Sequence, residues 1–315
     1  MKVSVVECSQ GRIEHAPVLE ALDRDGAVVL RGAFTREAVD FVAAQADRWL
    51  ENPAIAGAPG YWKIDHPKKL LDPCVIGGPV YELIVGERIL EVAEAFLGSE
   101  CLLAECNLKH DAPVGYGYFP LHTDFFVGWR KKEGTLPELD AATLRRPVAL
   151  GGAIYLHDTR EGAFSYCLGT HKREVPPGWQ DVGNLPADVR REVEATKVRI
   201  EGLKGDIVLF DDRGYHGPDL PMPVSRTVIL VDYYSAAVFG RRIVTPYSIW
   251  STDLGRLSSR QMRALGAGAE TWGDAWNSLH AKFRRSPFYR TIVMAVENAY
   301  LHRHLRARLR AMVGR

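Results

Sequence analysis

The sequence predicts a mainly β chain with added helices, its core a double-sheet jelly roll. Three observations carry this. From Cys101 onward the residues take strand period: Leu102, Ala104, Cys106 and Leu108 alternate with Leu103, Glu105, Asn107 and Lys109, the two-residue repeat of extended backbone. About eight short strand-like runs follow, the later ones with no helix between them, which argues for stacked antiparallel sheets and against a parallel sheet. The flanks differ: amphipathic helical stretches precede the runs and a helical, basic stretch follows them.

Gly26 to Arg31 reads as a short buried strand. Thr35 reads as an N-cap, with Phe34 and Val39 as a hydrophobic staple and Glu37 in the first turn. Val39, Val42, Ala43, Ala46 and Leu50 form the apolar stripe of a helix over 36–50. Residues 52–60 are a breaker-rich loop ending in Tyr61-Trp62-Lys63. Such a loop reads as packed surface or as a lid, with Trp62 then a substrate contact. Tyr81 to Leu97 reads as one helix, with Leu83, Leu90, Ala93 and Leu97 inward and Gly98 as its stop. Tyr116 to Val127 reads as a strand. Residues 130–147 are a polar insertion, a solvated loop in preference to a basic rim. Strands over Val148–Leu156, Phe164–Leu168, Ile207–Asp211 and Thr227–Tyr234 complete the set, with a Pro-rich then helical segment over 174–196. Residues 255–312 read as helical, the arginines from Arg303 to Arg310 on a solvated face. The chain is thus expected to be one domain: a mixed, helical part over 1–99, a jelly-roll core over 100–236 and a helical extension over 240–315.

Composition narrows the function classes. The chain has 315 residues, 46% of them hydrophobic, and a net charge of +1. That suffices for a substantial core and gives no global field to recruit nucleic acid or membrane. Five cysteines form no Cys-x-x-Cys pair, which fits a reducing compartment. The first residues lack a signal-peptide core, and no apolar run is long enough for a membrane span. The expectation is a soluble, cytoplasmic protein acting on a small molecule, its oligomeric state open.

The chemistry is concentrated in Leu121-His122-Thr123-Asp124-Phe125. On an extended backbone, side chains at i and i+2 face one way, so His122 and Asp124 present an imidazole and a carboxylate to one spot. His216, in Gly214-Tyr215-His216-Gly217, supplies a third ligand. Two His and one carboxylate form the facial triad that holds Fe(II) and leaves coordination positions open. Ten residues after His216, Arg226 opens an apolar strand, a cation suited to a co-substrate carboxylate.

Four blocks resemble the phytanoyl-CoA dioxygenase family of Fe(II)/2-oxoglutarate oxygenases. They are Asp25 to Gly32, the His122/Asp124 segment, Glu161-Gly162-Ala163 running to Gly169-Thr170-His171-Lys172, and Gly205 to Phe210 leading on to His216 and Arg226. Three positions depart from the family pattern: Glu161 stands where Asn is usual, Leu168 where Pro is, and Pro218 where Ser or Thr is.

The resemblance implies a double-stranded β-helix core of the cupin-like kind, with Fe(II), 2-oxoglutarate and O2 as cofactor and co-substrates. Decarboxylation of 2-oxoglutarate to succinate and CO2 would accompany hydroxylation, or another oxidation, of an unactivated C–H. Arg226 is then the partner of the distal carboxylate of 2-oxoglutarate. Asn107, Tyr118 and Tyr155 are candidates for its remaining contacts, and Phe125, Phe126 and Trp129 for the substrate wall. Halogenating relatives lack the carboxylate at the position of Asp124, so its presence argues for oxygenation. The departures at Glu161 and Pro218 favour a specialised metabolite over an acyl-CoA thioester. His171 reads as pinning a loop. Two alternatives stay open on the residues alone: a zinc hydrolase, since the same three ligands hold zinc, and a non-catalytic jelly-roll binding module.

Overall fold

The computed structural model describes residues 1–8, 12–51, 61–63, 68–70, 72–116, 118–130, 138–243, 247, 249, 252–267 and 270–271. Strand β1 (Ser4–Glu7) lies parallel to β2 (Ala27–Arg31), with helix α1 (His15–Asp25) between them in the chain. Helix α2 (Arg36–Glu51) starts where expected, the Ala38 amide donating to Thr35 Oγ1 at 3.3 Å. Two short strands follow, β3 (Tyr61–Lys63) and β4 (Lys68–Leu70), then helices α3 (Val80–Val85) and α4 (Glu87–Leu97) and the long strand β5 (Cys101–Asp111).

The later strands are β6 (Ala149–Tyr155), β7 (Thr159–Cys167), β8 (Lys197–Gly202), β9 (Ile207–Asp211), β10 (His216–Pro218) and β11 (Arg226–Ser235), with helix α5 (Ala187–Ala195) before β8. A short helix α6 (Ala236–Phe239), strands β12 (Arg242–Ile243) and β13 (Glu270–Thr271) and helix α7 (Ser259–Ala264) close the described chain.

The strands form a jelly roll of two unequal sheets. The large one has eight strands in the order β1-β2-β9-β6-β11-β5-β4-β3, the small one three in the order β10-β7-β8. Helices α1 to α4 cover the outer face of the large sheet, where Leu22, Val42, Leu83 and Leu90 pack with Leu103, Ile154, Leu209 and Ile229. Between the sheets, Val29, Ala153, Tyr155, Phe164, Tyr166 and Phe210 form a second core.

Three expectations need correction. The helix over 81–97 is two helices, broken at Gly86, whose ψ of 136° is extended. A Cβ at Gly86 would sit 2.3 Å from the Glu82 carbonyl, so this close turn admits glycine. Tyr116 to Val127 is not a ladder strand. Pro120 offers no donor, and the next amides go to different segments: His122 to His216 O, Thr123 to Gln180 O and Asp124 to Asp212 O. Finally, the jelly-roll core is not confined to residues 100–236, because β1 and β2 complete the large sheet through β9. The 52–60 loop, residues 131–137 of the polar insertion and the basic tail lie outside the described residues, as does the side chain of Trp62.

Candidate metal centre

His122 and His216 are brought together by their own backbones. Each amide donates to the other's carbonyl, at 2.9 and 2.8 Å, so β10 aligns the two residues. Each imidazole is then fixed by a local bond from Nδ1: His122 to Pro120 O at 3.1 Å and His216 to Gly214 O at 3.0 Å. Those carbonyls can only accept, so Nδ1 carries the proton and Nε2 keeps its lone pair. Both Nε2 atoms face Asp124, at 3.6 and 3.3 Å from its carboxylate oxygens. The ligand atoms of the three lie within 4.8 Å of one another.

Burial presses the Asp124 carboxyl upward, but its two histidine neighbours more than offset it, and the net shift is downward. Burial, then the neighbouring His216, holds His122 below its ordinary value. Imidazoles that offer a free Nε2 lone pair and a charged carboxylate are the forms that bind a divalent metal. Phe210 and Phe164 pack on the His216 ring at 4.7 and 5.8 Å, and Phe119 meets His122 edge-on at 4.8 Å.

Arg226 is not free-standing. Its Nη2 and Nε donate to Asp111 Oδ2 at 2.7 and 3.2 Å, and Nη1 donates to Gly162 O at 2.9 Å. Lys109 Nζ lies 3.2 Å from the other Asp111 oxygen, and the Tyr118 hydroxyl donates to that oxygen too. The buried group of Lys109, Arg226 and Asp111 therefore carries one uncompensated positive charge. It adjoins the triad through Phe119, whose ring stands between Lys109 Nζ, 5.9 Å away, and His122. Burial, partly opposed by Asp111, pushes the Lys109 ammonium down to about 8.

Sequence reading missed Lys109 and Asp111. The signal available was the polar series Glu105, Asn107, Lys109, Asp111 at alternate positions of a strand whose opposite face is apolar. Directly across the ladder stand Asp232, Leu230, Val228 and Arg226, so both series share the inner face of the sheet.

The remaining expectations fare unequally. Asn107 is buried on this inner face, its amide 3.5 Å from Glu105. Tyr155 must be corrected as a ligand contact: its hydroxyl donates to Ile200 O at 2.6 Å and accepts from the Phe164 amide at 3.1 Å, tying the two sheets together. Phe125 is fully buried in a cluster with Trp129, Tyr234 and Phe239, and Phe126 packs against a different cluster, around Val175 and Tyr215. These two neighbours therefore do not form one wall. His171 Nε2 is bonded to Asp23 O at 3.1 Å, a loop pin as expected. A separate cavity of about 410 Å3 lies beyond Phe125, against Leu144, His171 and Arg213, and includes none of the triad.

The phytanoyl-CoA dioxygenase (PhyH) family model matches residues 22–218. The chain belongs to the PhyH family. Fe(II) and 2-oxoglutarate are that family's cofactor and co-substrate, and the donor set of the PhyH triad fits them. Solved structures agree at the level of fold. EctD from S. alaskensis with bound Fe has a TM-score of 0.54 and 21% identity, over 72% of this chain and 78% of its own. EctD with 2-oxoglutarate and 5-hydroxyectoine gives 0.55 and 21%, over 72% and 77%. The epimerase SnoN in complex with Fe3+, alpha ketoglutarate and nogalamycin RO gives 0.51 and 20%, over 70% and 84%. No curated protein sequence matches the chain significantly. No described helix of this PhyH chain is long and apolar enough to cross a membrane.

Proposed function

We propose that the chain is a non-haem Fe(II)/2-oxoglutarate-dependent oxygenase that hydroxylates, or otherwise oxidises, an unactivated C–H of a small organic molecule, a specialised metabolite rather than an acyl-CoA. The observation that carries this is the orientation of the triad. Two Nδ1–H groups held by backbone carbonyls turn both Nε2 lone pairs onto the Asp124 carboxylate, an arrangement that serves a metal.

His122, Asp124 and His216 would hold the ion from one side and leave the opposite side to ligands. Bound there, Fe(II) supplies the redox chemistry that couples oxidative decarboxylation of 2-oxoglutarate to oxidation of the substrate. Lys109 and Arg226 would bind the distal carboxylate of 2-oxoglutarate, which neutralises their excess charge. Asp111 holds the guanidinium in place, and Tyr118 closes the cluster. Phe164 and Phe210 keep water from the His216 side of the centre.

The test is an anaerobic titration of the iron-loaded protein with 2-oxoglutarate, followed by its charge-transfer absorption. A saturable band is expected in the native chain, with none in His216→Ala. Substrate-stimulated succinate release then reports turnover. A chain that binds zinc tightly and gives no band with iron and 2-oxoglutarate would favour the hydrolase reading.

A further inference from the structure

The inner face of the large sheet carries basic side chains at one end and acidic ones at the other. Away from Arg226, past Leu230 and Asn107, come Asp232 on β11 and its cross-strand partner Glu105 on β5. Glu105 is the one exposed residue in β5, and Leu230 and Asp232 are half-buried between fully buried neighbours. The inner face therefore opens to solvent at this end.

Asp212 completes the group. Its carboxylate lies over Gly151, the other cross-strand partner of Asp232: a Cβ on Gly151 would sit 2.2 Å from Asp212 Oδ1. Asp212 is 1% exposed, and neither of its carboxylate oxygens has a hydrogen-bond partner among the described residues. Its carbonyl accepts from the Asp124 amide at 3.1 Å, so it stands directly behind a metal ligand. A buried carboxyl left without a partner is costly, and a ligand that supplies the partner removes that cost.

Aromatic rings border the same end. Tyr234 is two residues beyond Asp232, with Phe125 at 5.4 Å and Phe239 at 4.9 Å between ring centroids. Carboxylates beside a half-buried tyrosine ring are surroundings suited to an organic cation. A bare metal ion is the poorer occupant. Among the described residues, the set of His, Cys, Asp and Glu that gathers closely enough to chelate is the triad.

We propose that this acidic end is the substrate subsite and that the substrate is an organic cation, an amine or quaternary ammonium, whose charge is held by Asp212, Asp232 and Glu105 beside the metal. The inference rests on the oxygenase reading and deepens it. The same carboxylates repel the phosphates of an acyl-CoA.

The test uses matched probes: choline against 3,3-dimethylbutan-1-ol, and pentylammonium against pentanol. Binding is followed by ligand-observed NMR, on the metal-free protein and on the protein loaded with Zn(II) and 2-oxoglutarate. Each cation should bind at least about tenfold more tightly than its neutral isostere, the scale of a charge-assisted contact to a partly buried carboxylate. Asp232→Asn and Glu105→Gln should each weaken the cation at least about threefold, and together abolish the preference. Asp212→Asn should do the same; because that site is buried, the two rim variants decide the matter if it fails to fold. Equal binding of cation and isostere in both pairs, or a preference that survives the double rim variant, overturns the proposal. A 2-oxoglutarate titration of the same samples separates this failure from failure of the oxygenase reading, which would appear as no 2-oxoglutarate binding in the native chain.

Discussion

The side chain that most changes the picture of the site is Lys109. It was one member of an alternating strand in the sequence; in the fold it shares Asp111 with Arg226. Removing Arg226 takes two donors from the buried Asp111 carboxylate, leaving it Lys109 and Tyr118, so Arg226→Ala mixes stability with binding. Lys109→Met is the cleaner change. It leaves the Asp111–Arg226 pair neutral and should weaken 2-oxoglutarate at least about tenfold in the anaerobic titration, the loss of one charge-assisted contact. The pH dependence follows. The ammonium is needed for the excess positive charge, and burial has lowered its pKa to about 8, so affinity for 2-oxoglutarate should fall as pH rises through about 8, less steeply in Lys109→Met. Stability runs the other way. Between about 8 and the ordinary 10.5 the unfolded state binds more protons than the folded one. This group therefore adds to stability as pH rises through that window, a trend that thermal unfolding at successive pH values would detect.

Strand β6 shows how an element builds the site without contributing a ligand. Its Gly151 gives no side chain to the inner face at the point where Asp212 and Phe210 lie. A methyl group at Gly151 would meet Asp212 Oδ1 at 2.2 Å and the Phe210 ring at 2.4 Å, and Phe210 packs on His216. Gly151→Ala should cost about 1–3 kcal/mol of stability and lower metal affinity, measured by chemical unfolding and by metal titration; an unchanged metal affinity would show that Phe210 does not steady His216. This level of the structure was only partly legible in the sequence. Strand period identified β5, β6, β9 and β11 closely, because their outer faces are continuous apolar rows. It misread Tyr116 to Val127, whose amides pair with three separate segments, since sequence spacing does not reveal the partner of a hydrogen bond. Likewise His122, Asp124 and His216 were found from ligand type and order, whereas Asp111, Asp212 and Asp232 were not. Their significance arises from which strands lie side by side.

At the scale of the molecule, the part that matches the family model and the part that makes the fold differ. The match ends at residue 218, yet β11, over Arg226–Ser235, lies inside the large sheet and pairs with both β5 and β6. A chain ending at residue 218 should lose cooperative thermal unfolding, because β6 and β5 would each be left with an unpaired apolar edge; a sharp transition in that fragment would show that β11 is dispensable. The reciprocal bonds between the backbones of His122 and His216 carry a further consequence, in the exchange of amide hydrogens with solvent. Two amides locked in a mutual pair, between segments far apart in the chain, become exposed only when those two segments part. They should be among the slowest-exchanging protons in the metal-free protein, and metal should slow them little further. The ligand geometry is then set before the ion arrives, and ion and protein can part and meet again without any refolding between.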